Sequence, residues 1–219
     1  MNITVTDYLD VISSWCFWSE PTWAELKRRY RDRVRFQWKI ALMDPSGLPV
    51  SREQEEWFYR RSGMLMRSPF MLRTDWYDAS LKEWLAPNCV AEAGKDFGID
   101  GDDIRLAISN GSLREGKQIK DWKVCAQLGA AAAKIDEKKL LERAQSPEIE
   151  ARVRASTAEF HALQINQRPS FVIDTEIGDR AIFSGVVKLE PIAATLDSML
   201  EDAAFYATHQ AHFGEPPTK

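Results

Sequence analysis

Ser13 and Cys16 stand three residues apart in Asp10-Val11-Ile12-Ser13-Ser14-Trp15-Cys16-Phe17, between a stretch that alternates like a strand and one that repeats like a helix. A serine at such a junction can cap the helix by accepting an N–H of its first turn. Its hydroxyl can also donate a hydrogen bond to an anion such as a thiolate. Cys16 lies one helical turn further in. It is a nucleophile if exposed and thiolate-like, or a small core residue if buried. Cys89 and Cys125 are remote, and an odd, scattered set implies no disulfide framework. His161, His209 and His212 lie apart from the cysteines, so no metal site is expected. A second place of interest is Arg168-Pro169-Ser170, because an X-Pro bond is the one kind that adopts the cis form cheaply.

The elements that must position these residues follow from periodicity. Ile3 and Val5 alternate with Thr4 and Thr6, predicting a strand through about Leu9. Trp23, Leu26 and Tyr30 recur at helical spacing, and Lys27-Arg28-Arg29 reads as the solvated side of that helix. Val34, Phe36, Trp38 and Ile40 alternate with polar residues, a second strand.

From about Ser51 to Gln164 strand periodicity is missing, and five or six helices are expected. Ser51-Arg52-Glu53-Gln54 is a capping-box pattern, Asp136 a candidate N-cap, and Ser146-Pro147-Glu148 a further helix start. Gly129 to Ala133 is small and apolar, suited to close helix packing. Strand signals return at Ser170–Ile173 and Ala181–Phe183 around a loop containing Gly178. A last helix carries Leu189, Ile192, Leu196, Met199 and Leu200 on one stripe, and the tail from Gly214 is expected to fray.

Composition narrows the partners. With 44% hydrophobic and 28% charged residues the chain is an ordinary globular mixture. A net charge of −4 without a basic block argues against nucleic acid. No apolar run reaches the roughly 18–20 residues of a membrane span, and no signal-like N-terminus is evident. The expected setting is the cytoplasm.

The order β-α-β, helical block, β-β-α resembles the thioredoxin fold with an all-helical domain inserted between its halves. Residues Asp10 to Phe17 look like the strand-to-helix turn of DsbA-like oxidoreductases, where a Cys-Pro-x-Cys motif opens the first helix. Gln167-Arg168-Pro169-Ser170-Phe171-Val172-Ile173 is similar to the family's Val-Pro-Thr-Phe segment, in which the proline is cis and faces that motif. The resemblance implies an α/β protein divided as residues 1–50 and 165–213 of the thioredoxin fold, 51–164 of helical insertion, and a 214–219 tail. Here Ser13 occupies the first cysteine position, as in kappa-class glutathione transferases and 2-hydroxychromene-2-carboxylate isomerases, whereas Cys16 keeps the second cysteine of the DsbA pattern. A competing register reads Cys16 to Ser19 as Cys-x-x-Ser and makes Cys16 the nucleophile. Pro21 lies eight residues after Ser13, matching the family's helix proline in the first register.

In that fold Ser13 sits at a helix N-terminus, where unpaired N–H groups and the dipole favour an anion. Glutathione supplies a thiol with a pKa of about 8.5. Lowering it by about two units needs roughly 2.7 kcal/mol. A charge-assisted hydrogen bond of about 1.5–3 kcal/mol and a helix terminus of about 0.3–1 kcal/mol nearly supply that. The resemblance therefore implies Ser13 and Cys16 as catalytic positions. It implies Trp15, Arg168, Pro169, Ser170, Ser184 and Gly185 as substrate-binding ones, with the Arg168 backbone facing the ligand. Its guanidinium either binds a carboxylate or covers surface.

The leading expectation is a glutathione-using transferase or isomerase, with glutathione as co-substrate beside a small-molecule or thiol substrate. The alternatives are a monothiol oxidoreductase acting through Cys16 and a non-enzymatic peptide or partner binder. A homodimer is compatible with each.

Overall fold

The computed structural model describes residues 2–73, 77–214 and 217. Met1, Thr74 to Trp76 within the expected helical block, and four of the six tail residues lie outside the described set.

Strand β1 (Ile3–Leu9) runs into helix α1 (Ser14–Tyr30), which returns the chain to β2 (Val34–Ile40) parallel to β1. After the helical block, β3 (Ser170–Thr175) pairs antiparallel with β1, and β4 (Arg180–Ser184) pairs with β3. The sheet order is β2-β1-β3-β4, so β1 is central and the Ser13 turn leaves from the middle of the sheet. A helix α8 (Leu189–Phe213) closes the chain.

Alternation decides which helix each strand residue meets. Ile3, Val5, Phe171 and Ile173 pack with Trp23 and Leu26 of α1 and Ile192 and Leu196 of α8. On the opposite face Tyr8 and Val172 meet Phe160 of the helical block. The sheet is thus covered on both sides, the layered arrangement of a thioredoxin fold.

Between β2 and β3 every α-helix or strand among the described residues is an α-helix: α2 (Arg52–Leu65), α3 (Leu85–Ala93), α4 (Asp103–Leu113), α5 (Trp122–Ala133), α6 (Glu137–Ala144) and α7 (Pro147–Ala162). Three starts are set by the caps the sequence announces. Asp136 accepts from Lys139 N–H, Ser146 from Ile149 N–H and Ser51 from Gln54 N–H. The Gln54 side chain returns to Val50 N–H at 2.7 Å, one residue outside the usual capping box. Small residues draw α4 and α5 together: a Cβ at Gly129 would stand 2.8 Å from Ile104 Cγ2. The core of this block is continuous with the end of β1, since Leu9, Ile12 and Cys16 cluster with Cys89, Ile108 and Val153.

Candidate active site

Ser13 is the N-cap of α1. Its φ of −71° and ψ of 121° are extended, and Oγ accepts the Cys16 N–H at 3.3 Å. Its backbone N–H donates to Asp10 O at 3.0 Å, which shapes the turn. The turn is tied from below by Asp10. One carboxylate oxygen accepts from Ile12 N–H at 3.1 Å and Asn88 Nδ2 at 3.0 Å, the other from Met43 N–H at 2.8 Å. Asn88 Oδ1 in turn accepts from Val11 N–H. One buried carboxyl therefore joins the α1 turn, the chain after β2 and helix α3.

Ser13 opens into a cleft of about 380 Å³, within the size range of small-molecule sites. Ile12 to Trp15 form its floor, and the loop from Met43 to Pro49 forms one side. Phe58, Tyr59 and Arg61 of α2 form another, and Asn166 to Arg168 face them. Tyr59 donates to Ile12 O at 3.2 Å, fixing α2 against the turn. Arg61 lies over the Trp57 and Phe58 rings, 4.8 and 5.5 Å from their centroids, with an exposed side chain at the cleft wall. None of these α2 residues was singled out from sequence. Their separation of more than forty residues from Ser13 leaves no local signal.

The residues implied by the motif resemblance divide sharply. Ser13, Trp15 and Arg168 line the cleft. Cys16 does not; it is 4% exposed, and burial, with Asp7 next, pushes its thiol pKa far up, against hydrogen bonding from Ser13. Cys89 and Cys125 are buried too, and all three cysteines are free. Burial likewise holds the Cys89 pKa up at about 12.

The Arg168-Pro169 peptide is cis. Pro169 is buried, and Ser170 is wholly buried with its hydroxyl donating to Gln167 O at 2.6 Å. Ser184 pairs with Ser170 across the β3–β4 ladder. Gly185 N–H donates to Pro169 O at 2.8 Å. Gly185 has φ +73°, and a Cβ there would stand 3.1 Å from Gln167 Cβ. Ser170, Ser184 and Gly185 thus brace the loop from behind, and Asn166, Gln167 and Arg168 are the loop residues that line the cleft.

The Arg168 side chain is turned inward rather than spread over the surface, and the carboxylate beside its guanidinium is the chain's own Asp44. Arg168 Nε donates to Ala41 O at 2.6 Å and Nη2 to Leu42 O, while the guanidinium lies 4.5 Å from the Phe160 ring centroid. Asp44 Oδ2 is 3.7 Å from Nη2. The guanidinium is thus held by the carbonyls of Ala41, Leu42 and Asn166 and lies against an aromatic face.

Beneath the turn lies a group that sequence reading missed. Asp7 occupies the β1 position whose alternation points it into the apolar layer under α1. Burial pushes its pKa up to about 8, partly countered by Arg105. Its Oδ1 has no hydrogen-bond partner, which suits a carboxyl that is protonated near neutral pH. Arg105, 3% exposed, is held by Glu20 of α1 and by Asp102, which also takes Lys27. Trp23 Nε1 donates to Asp102 at 3.2 Å. This charged cluster seats α4 on α1. The signal available in sequence was an acid in the middle of a strand otherwise free of charge.

Among the described residues no group of His, Cys, Asp and Glu could hold a metal ion, and no helix is long and apolar enough to cross a membrane.

A family model described as the DSBA-like thioredoxin domain matches residues 4–197. No curated protein matches the sequence. Among solved structures, a protein from Nitrosomonas europaea titled as a possible disulfide isomerase shares 16% identity at a TM-score of 0.77, covering 92% of this chain and 99% of its own. The cytosolic disulfide reductase DsbM from Pseudomonas aeruginosa shares 17% identity at 0.71, with 90% and 98% covered. The same reductase with GSH shares 16% at 0.68, with 90% and 99% covered. Likenesses this remote establish the fold.

Proposed function

Because the chain belongs to the DSBA-like thioredoxin-domain family, we propose that it is a glutathione-using transferase or isomerase of that fold, with Ser13 as the thiol-holding residue. The observation that carries this reading is the Ser13 hydroxyl at the α1 N-terminus, opening into a cleft whose far wall is the Gln167–Arg168 loop. Ser13 Oγ uses a lone pair on Cys16 N–H, and its hydroxyl proton turns from the Cys16 thiol to an incoming sulfur. The Arg168 backbone aligns the cysteinyl part of the tripeptide, as an added strand would. Arg61 offers a guanidinium to a terminal carboxylate of the ligand. Deprotonation to solvent leaves the thiolate held by Ser13 and the helix terminus. It then adds to an electrophilic carbon of the second substrate, either displacing a leaving group or being expelled again after rearrangement. The neighbour solved with GSH lends support to this choice of ligand. A cytoplasmic setting accords with three free cysteines.

The monothiol alternative requires Cys16 to meet solvent, and its burial and raised pKa speak against that. Titration with glutathione, followed by the ultraviolet absorbance of the bound thiolate against pH, is the test. Ser13→Ala is expected to keep the fold, at a cost of about 0.5–2 kcal/mol for the lost cap, and to raise the pKa of the bound thiol. Absence of binding at millimolar glutathione would overturn the reading in favour of a non-enzymatic groove.

A further inference from the structure

The last ten residues of α8 carry no buried side chain; Ala204 and Ala207 turn towards a shallow cleft shared with Arg31 to Arg35, and the other side of the helix faces away from the body. Ile192, Leu196, Met199 and Ala203 form the buried stripe, and from Ala204 to Gly214 every residue is exposed. Phe205, Tyr206 and Phe213 are 63%, 61% and 75% exposed. The projecting part is about 15 Å long. Helices shorter than roughly 12–15 residues are marginal in water without a packed face.

Phe205, His209 and Phe213 recur every four residues and share one face, where the His209 and Phe213 rings stack at 4.5 Å. The segment Phe205-Tyr206-Ala207-Thr208-His209-Gln210-Ala211-His212-Phe213 reads nearly the same in both directions about His209. Phenylalanine answers phenylalanine, tyrosine answers histidine, alanine answers alanine, and threonine answers glutamine. From Ala203 to Gly214 there is no Asp, Glu, Lys or Arg, although such residues make up 28% of the chain.

We propose that this projecting helix is a dimerisation element that pairs antiparallel with the same helix of a second copy about a twofold axis at His209. An antiparallel twofold brings each residue against the one equally far beyond His209 in the partner, so Phe205 meets the partner's Phe213 and His209 meets its own image. A near-palindromic face is complementary to itself under that operation, which is the condition for a closed isologous contact. The absence of charge removes the complementarity that would select a different, charged partner. The three rings offer about 400 Å² per copy, about half the roughly 800 Å² per partner of a standard interface. A contact of that size belongs to the weak, reversible end of specific association.

Sedimentation equilibrium across the micromolar range tests this. The native chain should pass reversibly from monomer to dimer as its concentration rises. The Phe205→Ser/Phe213→Ser double variant, altered only at exposed positions, should stay monomeric with an unchanged melting temperature. Under mild oxidation His209→Cys should give a covalent dimer. Ala207→Cys, on the opposite face of the helix, should not, and the native cysteines are buried. A native chain monomeric throughout, a double variant that dimerises equally well, or a dimer that His209→Cys fails to cross-link would each overturn the proposal.

Discussion

Replacing Asp7 by Asn probes the buried acid without changing its shape. In the folded chain burial lifts the Asp7 pKa from an ordinary 3.8 to about 8. Between those two values the folded state holds a proton that the unfolded state has released. Stability therefore falls as pH rises through this window, by up to about 1.4 kcal/mol per pH unit. Asparagine has no such proton to lose. The stability of Asp7→Asn relative to the native chain should then rise by about 3–4 kcal/mol between about pH 5 and about pH 8, and level off above that. Urea unfolding of both proteins across this range, at unchanged m-value, measures the difference directly. A difference constant with pH would mean that Asp7 is already ionised in the folded protein, and the account of its burial would fail.

Ser13→Cys places a thiol where Ser13 Oγ now touches Cys16 N–H. It should create a dithiol that reduces a model disulfide, an activity the parent should lack in the same assay. Native Cys16 should react with iodoacetamide far more slowly than in urea, because its thiol is buried and held protonated; equal rates would revive the Cys-x-x-Ser register. Arg105→Met removes the buried partner shared by the half-buried Glu20 and Asp102, and should cost about 3 kcal/mol in denaturant melts. Lys27→Met, at a half-exposed position, should cost much less.

The strands, most helix starts and both site segments were legible because each is announced within a few residues. Alternation marked Ile3 to Leu9 and Val34 to Ile40, and hydroxyl or carboxyl caps marked Ser51, Asp136 and Ser146. What escaped is set by contacts remote in the chain. Nothing around Asp7 or Arg105 says that these charges are buried together, since each is buried by elements about a hundred residues apart. The inward turn of Arg168 depends on two carbonyls at the end of β2 and on a ring of α7. The contribution of α2 to the cleft needs Tyr59 seated on Ile12. Helix α8 outruns its apolar stripe, so the pattern that revealed its start is silent about its last ten residues.

The Arg168 anchorage bears on how such a cleft could be altered by evolution or by engineering. The loop that faces Ser13 leans through one guanidinium on Phe160, and Thr157 of the same helix accepts from Leu42 N–H at 3.0 Å. Helix α7 is therefore a foundation for the wall opposite the serine, while α2 is the wall beside it. Grafting the Ser13 turn and its proline loop onto a bare thioredoxin scaffold would transplant the floor of the site without its supports. Variation within the helical block, even where it never meets a ligand, is then a route to new selectivity that leaves the serine untouched.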